Sequence, residues 1–317
     1  MQTILVTGGA GFIGSNLANS YLEQNKVVVI DDLSMGYKDN LKSSDNLTFI
    51  EGDVSDQTLM ENVLQKYQFD YIFHLAAIAS VADSVERPIE THEINFRSVL
   101  NLLELIKDKQ PSLKRLVFAS SAAVYGDEPT LPKQEESVIR PLTPYAVDKF
   151  AAEKYVTDYQ HLYGVPTAAV RFFNVYGPGQ NPSSPYSGVI SILMDKYKQL
   201  MAGQDVGFTL FGEGDQSRDF VFVKDVVNAL KLVAESPAAL GEVYNVGTGT
   251  EVTLKELITV FDSLLGVKLP IINEEERLGD IKFSKASIDK ITGLGYTPKF
   301  NVQEGLREYI DYELSTK

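Results

Sequence analysis

The chain has 317 residues, a formal net charge of −14 and no cysteine, and 44% of its residues are hydrophobic. That length suits one large domain or two intimately joined lobes, with enough apolar material for a sizeable core. The acidic balance, with no run of Lys or Arg, argues against nucleic acid or an anionic membrane as partner. Without cysteine there are no disulfides and no thiolate metal sites, and no metal site of any kind is expected. No apolar run is long enough to span a bilayer. No basic segment precedes an apolar stretch at the N-terminus, so a signal peptide is not expected and a cytoplasmic location is.

Thr3-Ile4-Leu5-Val6 reads as a short buried strand. It runs into Thr7-Gly8-Gly9-Ala10-Gly11-Phe12-Ile13-Gly14, after which Leu17, Ala18, Tyr21 and Leu22 recur at helical spacing. A strand, a glycine-rich turn and a helix N-terminus make a site for a diphosphate: backbone N–H groups approach the phosphate and the helix dipole favours its charge. Val27-Val28-Val29-Ile30 is the second strand of this unit, and Asp31 follows it. A carboxylate there accepts hydrogen bonds from the adenosine ribose hydroxyls and repels a 2′-phosphate, so NAD is expected over NADP. The neighbouring Asp32 adds to the repulsion.

Leu47-Thr48-Phe49-Ile50 reads as a third strand, ending near Gly52-Asp53-Val54, and Tyr71 to Leu75 as a fourth, followed by the small residues Ala76 and Ala77. Small side chains there let a cofactor lie close to the backbone, or let a helix pack tightly on the sheet. Glu90 to Lys107 is one long helical pattern, Leu116 to Ala119 a fifth strand running into Ser120-Ser121, Tyr145 to about Tyr163 a second long helix, and Val165 to Val170 a sixth strand. This alternation predicts an α/β fold with a doubly wound parallel sheet covered on both faces. Past Arg171 strict alternation stops, and a Gly- and Pro-rich loop opens what reads as a smaller, discontinuous α/β lobe. We therefore expect a dinucleotide-binding domain over 1–172 and a mainly substrate-binding lobe over 173–317. Segments near 219–248, including Phe220 to Val223 and Val243 to Val246, are expected to return as strands to the first lobe.

Tyr145-Ala146-Val147-Asp148-Lys149 opens the second long helix. Residues four apart share a helix face, so the phenol and the ammonium can reach one site. A cation beside a phenol lowers its pKa and readies it to take a proton from a hydroxyl as hydride leaves the same carbon. Alone, such a pair is common on exposed helices. Here Ser121 stands at the C-terminal end of a strand, where open α/β sheets place their ligands, and its hydroxyl could bind the same substrate oxygen.

The glycine spacing, His74-Leu75-Ala76-Ala77, Ser120-Ser121-Ala122-Ala123-Val124-Tyr125-Gly126 and Pro144-Tyr145-x-x-x-Lys149 occur in the order of the extended short-chain dehydrogenase/reductase family, which the chain resembles over essentially its whole length. The resemblance implies a Rossmann-like first domain with Ser121, Tyr145 and Lys149 catalytic. It implies NAD contacts from Gly8, Gly11, Phe12, Ile13, Gly14, Asp31, Asp32, Leu33, Ser34, Gly36, Asp53, Val54, Leu75, Ala76, Ala77, Asn95, Tyr145, Lys149 and Phe173. The second half resembles the nucleotide-sugar branch. Arg171-Phe172-Phe173-Asn174-Val175-Tyr176-Gly177-Pro178 looks like the segment whose Phe173 position meets the nicotinamide and whose Asn174 position meets the sugar nucleotide. Leu210-Phe211-Gly212 looks like the part that packs on the base. Arg218 and Arg277 match the arginines that hold the substrate diphosphate, a role that suits a forked guanidinium; taken singly, each would read as a solvated surface residue. Ser121, Tyr145, Val189, Thr209, Asp280 and Ser284 complete the implied substrate contacts.

Ala122-Ala123 stands where 4,6-dehydratases of this family carry an acid pair, so no proton donor is present there to expel a 6-hydroxyl. The pattern resembles the UDP-hexose 4-epimerases. It implies NAD-dependent 4-epimerisation of UDP-GlcNAc/UDP-GalNAc, with UDP-glucose/UDP-galactose alongside, by transient oxidation and re-reduction at C4. A UDP-glucuronate 4-epimerase or decarboxylase is the rival enzyme. A non-catalytic NAD-binding regulatory protein is the rival of another class, although such proteins usually lose the Tyr or Lys kept here. Counted from Arg277 without a gap, Ser284 falls at the family's size gate beside the sugar C2 substituent; a one-residue slip would put Phe283 or Lys282 there. The helical stretches Glu90 to Lys107 and Tyr145 to Tyr163 resemble those that pair across the family's homodimer, their plainer role being to cover the sheet.

Overall fold

The computed structural model describes residues 1–181, 188–275 and 282–315. Strands β1 (Thr3–Thr7), β2 (Lys26–Asp31), β3 (Leu47–Glu51), β4 (Tyr71–His74), β5 (Arg115–Ser121) and β6 (Thr167–Phe172) follow one another through the first half. Between them run α1 (Phe12–Tyr21), α2 (Gln57–Lys66), α3 (Val81–Glu86), α4 (Pro88–His92), α5 (Ser98–Lys109) and α6 (Pro144–Tyr163). Beyond β6 come β7 (Asn174–Tyr176), α7 (Val189–Met201), β8 (Phe208–Phe211), β9 (Ser217–Arg218), β10 (Phe220–Phe222), α8 (Val223–Glu235) and β11 (Val243–Val246). The chain closes with β12 (Val252–Thr253), α9 (Leu254–Leu265), β13 (Ile271–Glu274), α10 (Asp289–Thr292) and α11 (Val302–Ser315).

Seven strands form one sheet in the order β11-β6-β5-β4-β1-β2-β3, and every pairing in it is parallel. Both faces are apolar, which explains why the strands read as continuous hydrophobic runs rather than alternating ones. Side chains of successive residues still part company. Ile4, Val6, Val27 and Val29 join one buried cluster, with Leu17, Val226 and Leu230 from α1 and α8. Leu5, Val28 and Ile30 join the other, with Leu64, Leu102 and Val156 from α2, α5 and α6. A third cluster fills the second half, with Leu193, Tyr197, Phe261 and Tyr309 from α7, α9 and α11.

Two expectations change. The helical stretch from Glu90 is not one regular helix: α4 passes into α5 through a π turn over Glu93–Arg97. That turn carries Asn95, which is buried and bonds the backbone of Ile78 both ways, accepting from its N–H at 2.8 Å and donating to its carbonyl at 2.9 Å. A single 3.6-residue period cannot register the extra residue in that turn. The strand Phe220–Phe222 pairs with β7 in a small parallel sheet of its own rather than with the large sheet, whereas Val243–Val246 lies on the large sheet's edge beside β6.

A buried polar cluster ties β5, β6 and α6. Arg171 donates to both carboxylate oxygens of Glu153, at 2.6 and 2.9 Å, and Ser120 donates to the same carboxylate at 2.7 Å. Arg171 also reaches the Tyr125 hydroxyl at 2.8 Å, which in turn donates to Asn245 on β11 at 2.7 Å. The side chains of Arg171 and Glu153 are 4% and 1% exposed. Removing one partner therefore strands a charge with no water to solvate it. Glu153→Ala is expected to destabilise the fold by about 3–5 kcal/mol, read as a lower urea midpoint at unchanged slope.

Candidate active site

A parallel sheet brings all its strand ends to one edge. Here that edge gathers the glycine loop after β1, Asp31 at the end of β2, Asp53 and Val54 after β3, Leu75-Ala76-Ala77 after β4, Ser121 at the end of β5 and Phe173 after β6. The chain runs outward from β1 in one direction and from β4 in the other, so the switch point of the sheet falls between these two strands. Gly8 stands there with φ +66, and a Cβ on it would lie 2.7 Å from the Ala76 amide nitrogen. A Cβ on Gly14 would lie 2.1 Å from the Gly8 carbonyl oxygen. Both glycines are thus required by close backbone contact, and the turn they build opens directly into α1.

Gly11 caps α1 without any side-chain hydrogen bond to the first turn, and no acidic residue occupies that turn. The leading N–H groups of the helix are therefore left to an external acceptor, and a diphosphate fits them. Asp31 is buried and its two oxygens accept from the N–H groups of Ala10 and Leu33, each at 2.9 Å. Burial pushes its carboxyl up from the ordinary value, against the pull of these backbone donors. Asp31 thus fixes the glycine loop as well as ending β2, and Leu33 sits at φ +59 under this restraint. Asp32 is exposed and accepts from the N–H and hydroxyl of Ser34 at 2.9 and 2.6 Å. A Cβ on Gly36 would lie 2.7 Å from the Ala10 oxygen, so this loop folds back onto the glycine turn. Asn95 sits one layer out, holding Ile78 just past Ala76-Ala77. The donors, the turn and the buried acid are the set that a dinucleotide requires.

Helix α6 is started by Thr143, whose hydroxyl accepts from the Ala146 N–H at 3.3 Å, with Pro144 in the first helical position. That cap sets Tyr145 at the helix mouth. Burial raises the Tyr145 phenol above its ordinary pKa, and the neighbouring Ser121 pulls the other way. Lys149, one turn on, donates to the Ala119 carbonyl at 2.9 Å and lies over the rings of Phe118 and Tyr145, 5.0 and 6.0 Å from their centroids. Burial thus sets the direction for the phenol in this structure, and that direction is upward. Burial also lowers Lys149 to about 7, against Asp148, which holds His92 through a 2.7 Å hydrogen bond. His74 is buried behind the site, bonded through Nδ1 to the Thr7 hydroxyl at 2.9 Å, and burial holds it down at about 3.

On the opposite wall, Asn174 opens β7 and Arg218 ends β9, where its guanidinium donates to the carbonyls of Ser217 and Lys282 at 2.8 and 3.2 Å. Ser284 is half-buried and donates its N–H to Ser217 at 3.2 Å, with the more exposed Phe283 and Lys282 before it. Val189 begins α7, and Thr209 and Phe211 lie on β8. Arg277 and Asp280 lie outside the described residues. Sequence reading missed the roles of Glu153, Tyr125 and Asn245. Glu153 alone left a signal, standing four residues beyond Lys149 on the same helix face.

The profile of the NAD dependent epimerase/dehydratase family matches residues 4–247. A UDP-glucose 4-epimerase of Mycolicibacterium smegmatis is 36% identical, the match covering 97% of each chain. A UDP-N-acetylglucosamine 4-epimerase from Methanobrevibacter ruminantium, solved with UDP-N-acetylmuramic acid, superposes with a TM-score of 0.92 at 36% identity, over 100% of this chain and 99% of that one. A Thermus thermophilus UDP-glucose 4-epimerase solved with NAD gives a TM-score of 0.88 at 34% identity, over 99% and 100% of the two chains. The relatives also include a UDP-glucuronate 4-epimerase of Thermodesulfobacterium geofontis, 31% identical.

The depressed lysine has a thermodynamic consequence. With its folded pKa near 7 and its unfolded pKa near the ordinary 10.5, Lys149 penalises the fold fully below about pH 7, and the penalty fades as pH rises toward 10.5. Lys149→Met is therefore expected to be more stable than the parent at pH 7, with the gap narrowing by more than about 1 kcal/mol by pH 10. Paired urea titrations of the NAD-free proteins across that range measure it.

Proposed function

Because the chain belongs to the NAD-dependent epimerase/dehydratase family, we propose that it is a UDP-hexose 4-epimerase, acting on UDP-GlcNAc and UDP-GalNAc and on UDP-glucose and UDP-galactose alongside. The observation that carries this reading is Lys149 lying over the Tyr145 ring, 6.0 Å from its centroid, at the mouth of α6, with Ser121 at the neighbouring strand end next to the glycine loop. Bound NAD would supply a reversible hydride acceptor for the C4 hydrogen. The Tyr145 oxygen takes the proton of the C4 hydroxyl as C4 is oxidised, and returns it when C4 is reduced from the other face. The Ser121 hydroxyl holds the same C4 oxygen in both halves. Protonated Lys149 stabilises the phenolate. Arg218, together with Arg277, anchors the diphosphate while the 4-keto sugar turns over between the two reductions. The absence of an acid at Ala122-Ala123 supports epimerisation over dehydration.

Asp31 and Asp32 support NAD over NADP. Exposed apolar side chains at Val147 and Leu162 on α6, and at Val85 and Ile89 just before the Glu90 to Lys107 stretch, support a homodimer built on the helical stretches Glu90 to Lys107 and Tyr145 to Tyr163. The cysteine-free composition is in keeping with the cytoplasm. Among the described residues no helix is long and apolar enough to cross a membrane, and no group of His, Cys, Asp and Glu is placed to hold a metal.

Assay of the NAD-loaded protein on a panel of UDP-hexoses tests the reading directly; turnover of UDP-glucuronate alone would replace it with the uronate epimerase. Tyr145→Phe is expected to retain NAD and lose epimerisation by roughly 10²-fold or more, and near-normal turnover would remove Tyr145 from its role. Ser284→Tyr should abolish turnover of UDP-GlcNAc and spare UDP-glucose, since a phenol ring fills the space an acetamide needs. Equal loss on both, or on neither, would show that position 284 does not select the C2 group.

A further inference from the structure

Asp219 lies between Arg218 and the strand Phe220–Phe222, and it is wholly buried. Its carboxylate is used to capacity. Oδ1 accepts from the Thr248 N–H at 2.8 Å and the Thr248 hydroxyl at 2.7 Å, while Oδ2 accepts from the Gly249 N–H at 2.9 Å and the Ala286 N–H at 3.2 Å. Gly247 packs so closely that a Cβ on it would lie 2.8 Å from Oδ2. The Asp219 main-chain carbonyl accepts from the Asn174 N–H at 3.1 Å. One residue therefore joins three segments distant in sequence: the strand start at Asn174, the turn that follows β11, and the stretch from Ser284 to Ala286. These carry two candidate substrate contacts, Asn174 and Ser284, and a third, Arg218, is the residue next to Asp219 itself. None of them carries Ser121, Tyr145 or Lys149, which stand on β5 and α6.

We propose that Asp219 is a positioning residue for the sugar nucleotide: its carboxylate clamps the Thr248–Gly249 turn to the Ala286 amide and so fixes the distance of the Ser284 segment from Arg218 and Asn174. The proposal rests on the UDP-hexose 4-epimerase reading. The reaction explains why such a clamp is needed. A 4-keto sugar must turn over while its diphosphate stays anchored, so the parts of this wall that carry the anchor and that face C2 must keep one spacing through both half-reactions. Only a carboxylate accepts at both oxygens. A carboxamide of the same shape must present an NH₂ to one pair of N–H donors. Facing Gly249 and Ala286 the NH₂ opposes two backbone N–H groups, and facing Thr248 it opposes one, so either orientation leaves the Thr248–Gly249 turn short of an acceptor and loosens its hold on the Ser284 stretch.

The test is Asp219→Asn in the NAD-loaded protein, assayed on UDP-GlcNAc and UDP-glucose. Leaving buried donors unpaired at the substrate wall should raise KM by about tenfold while kcat stays within about threefold. The ratio of kcat/KM between the two substrates should shift, with NAD content unchanged. A purely structural role would lower kcat with the folded fraction and leave KM and the substrate ratio as in the parent; that result overturns the proposal. If Asp219→Asn does not fold, Thr248→Val, which deletes one donor at constant shape, decides. A smaller KM rise with the same shift in ratio supports the clamp, and parental values for both overturn it. Failure of the parent to turn over any UDP-hexose would overturn the epimerase reading itself, whereas an active parent beside an unaltered variant overturns only the clamp.

Discussion

A parallel sheet with both faces buried can meet a ligand only at its strand ends, and this constraint governs the molecule. Helices close both faces, the apolar side chains of β1 and β2 divide between two clusters, and the edge where β1 through β6 finish is left to do chemistry. The outward runs of chain from β1 and from β4 part at the middle of the sheet, so a crevice is unavoidable there. Gly8 and Gly14 let the backbones around it come into contact, and α1 begins on its floor with uncapped N–H groups.

Burial at that edge sets the electrostatics. Tyr145 and Lys149 are both held away from water, and each is pushed toward its neutral form, the phenol upward and the ammonium down to about 7. A buried phenol and ammonium poised in this way respond strongly to any charge that enters the crevice, because little solvent screens them. Elsewhere two buried carboxylates are held by close donors. Glu153 takes Arg171 and Ser120, and Asp219 takes four neutral donors. These clusters stand behind the two walls of the site, one against β5 and α6, the other against β7, β9 and the Ser284 stretch.

The sequence alone determined the sheet-forming half and pointed to the edge proposed for its chemistry. The strand, glycine turn, helix and terminal acid of the first unit are contiguous and follow local rules, as do the helical spacing of Tyr145 to Lys149 and the placing of Ser121 at a strand end. Tertiary structure decided what depends on distant partners. The π turn at Asn95 answers to the backbone of Ile78, Phe220–Phe222 finds β7 instead of the large sheet, and Asp31 binds the loop of Ala10. Asp219 meets Thr248 and Ala286, which are remote in sequence and carry no periodic pattern. Period and propensity describe a residue's neighbours along the chain. A buried hydrogen bond is specified by donors and acceptors that become neighbours only when the chain has folded, so Glu153, Asn245 and Asp219 acquired their roles from the tertiary structure.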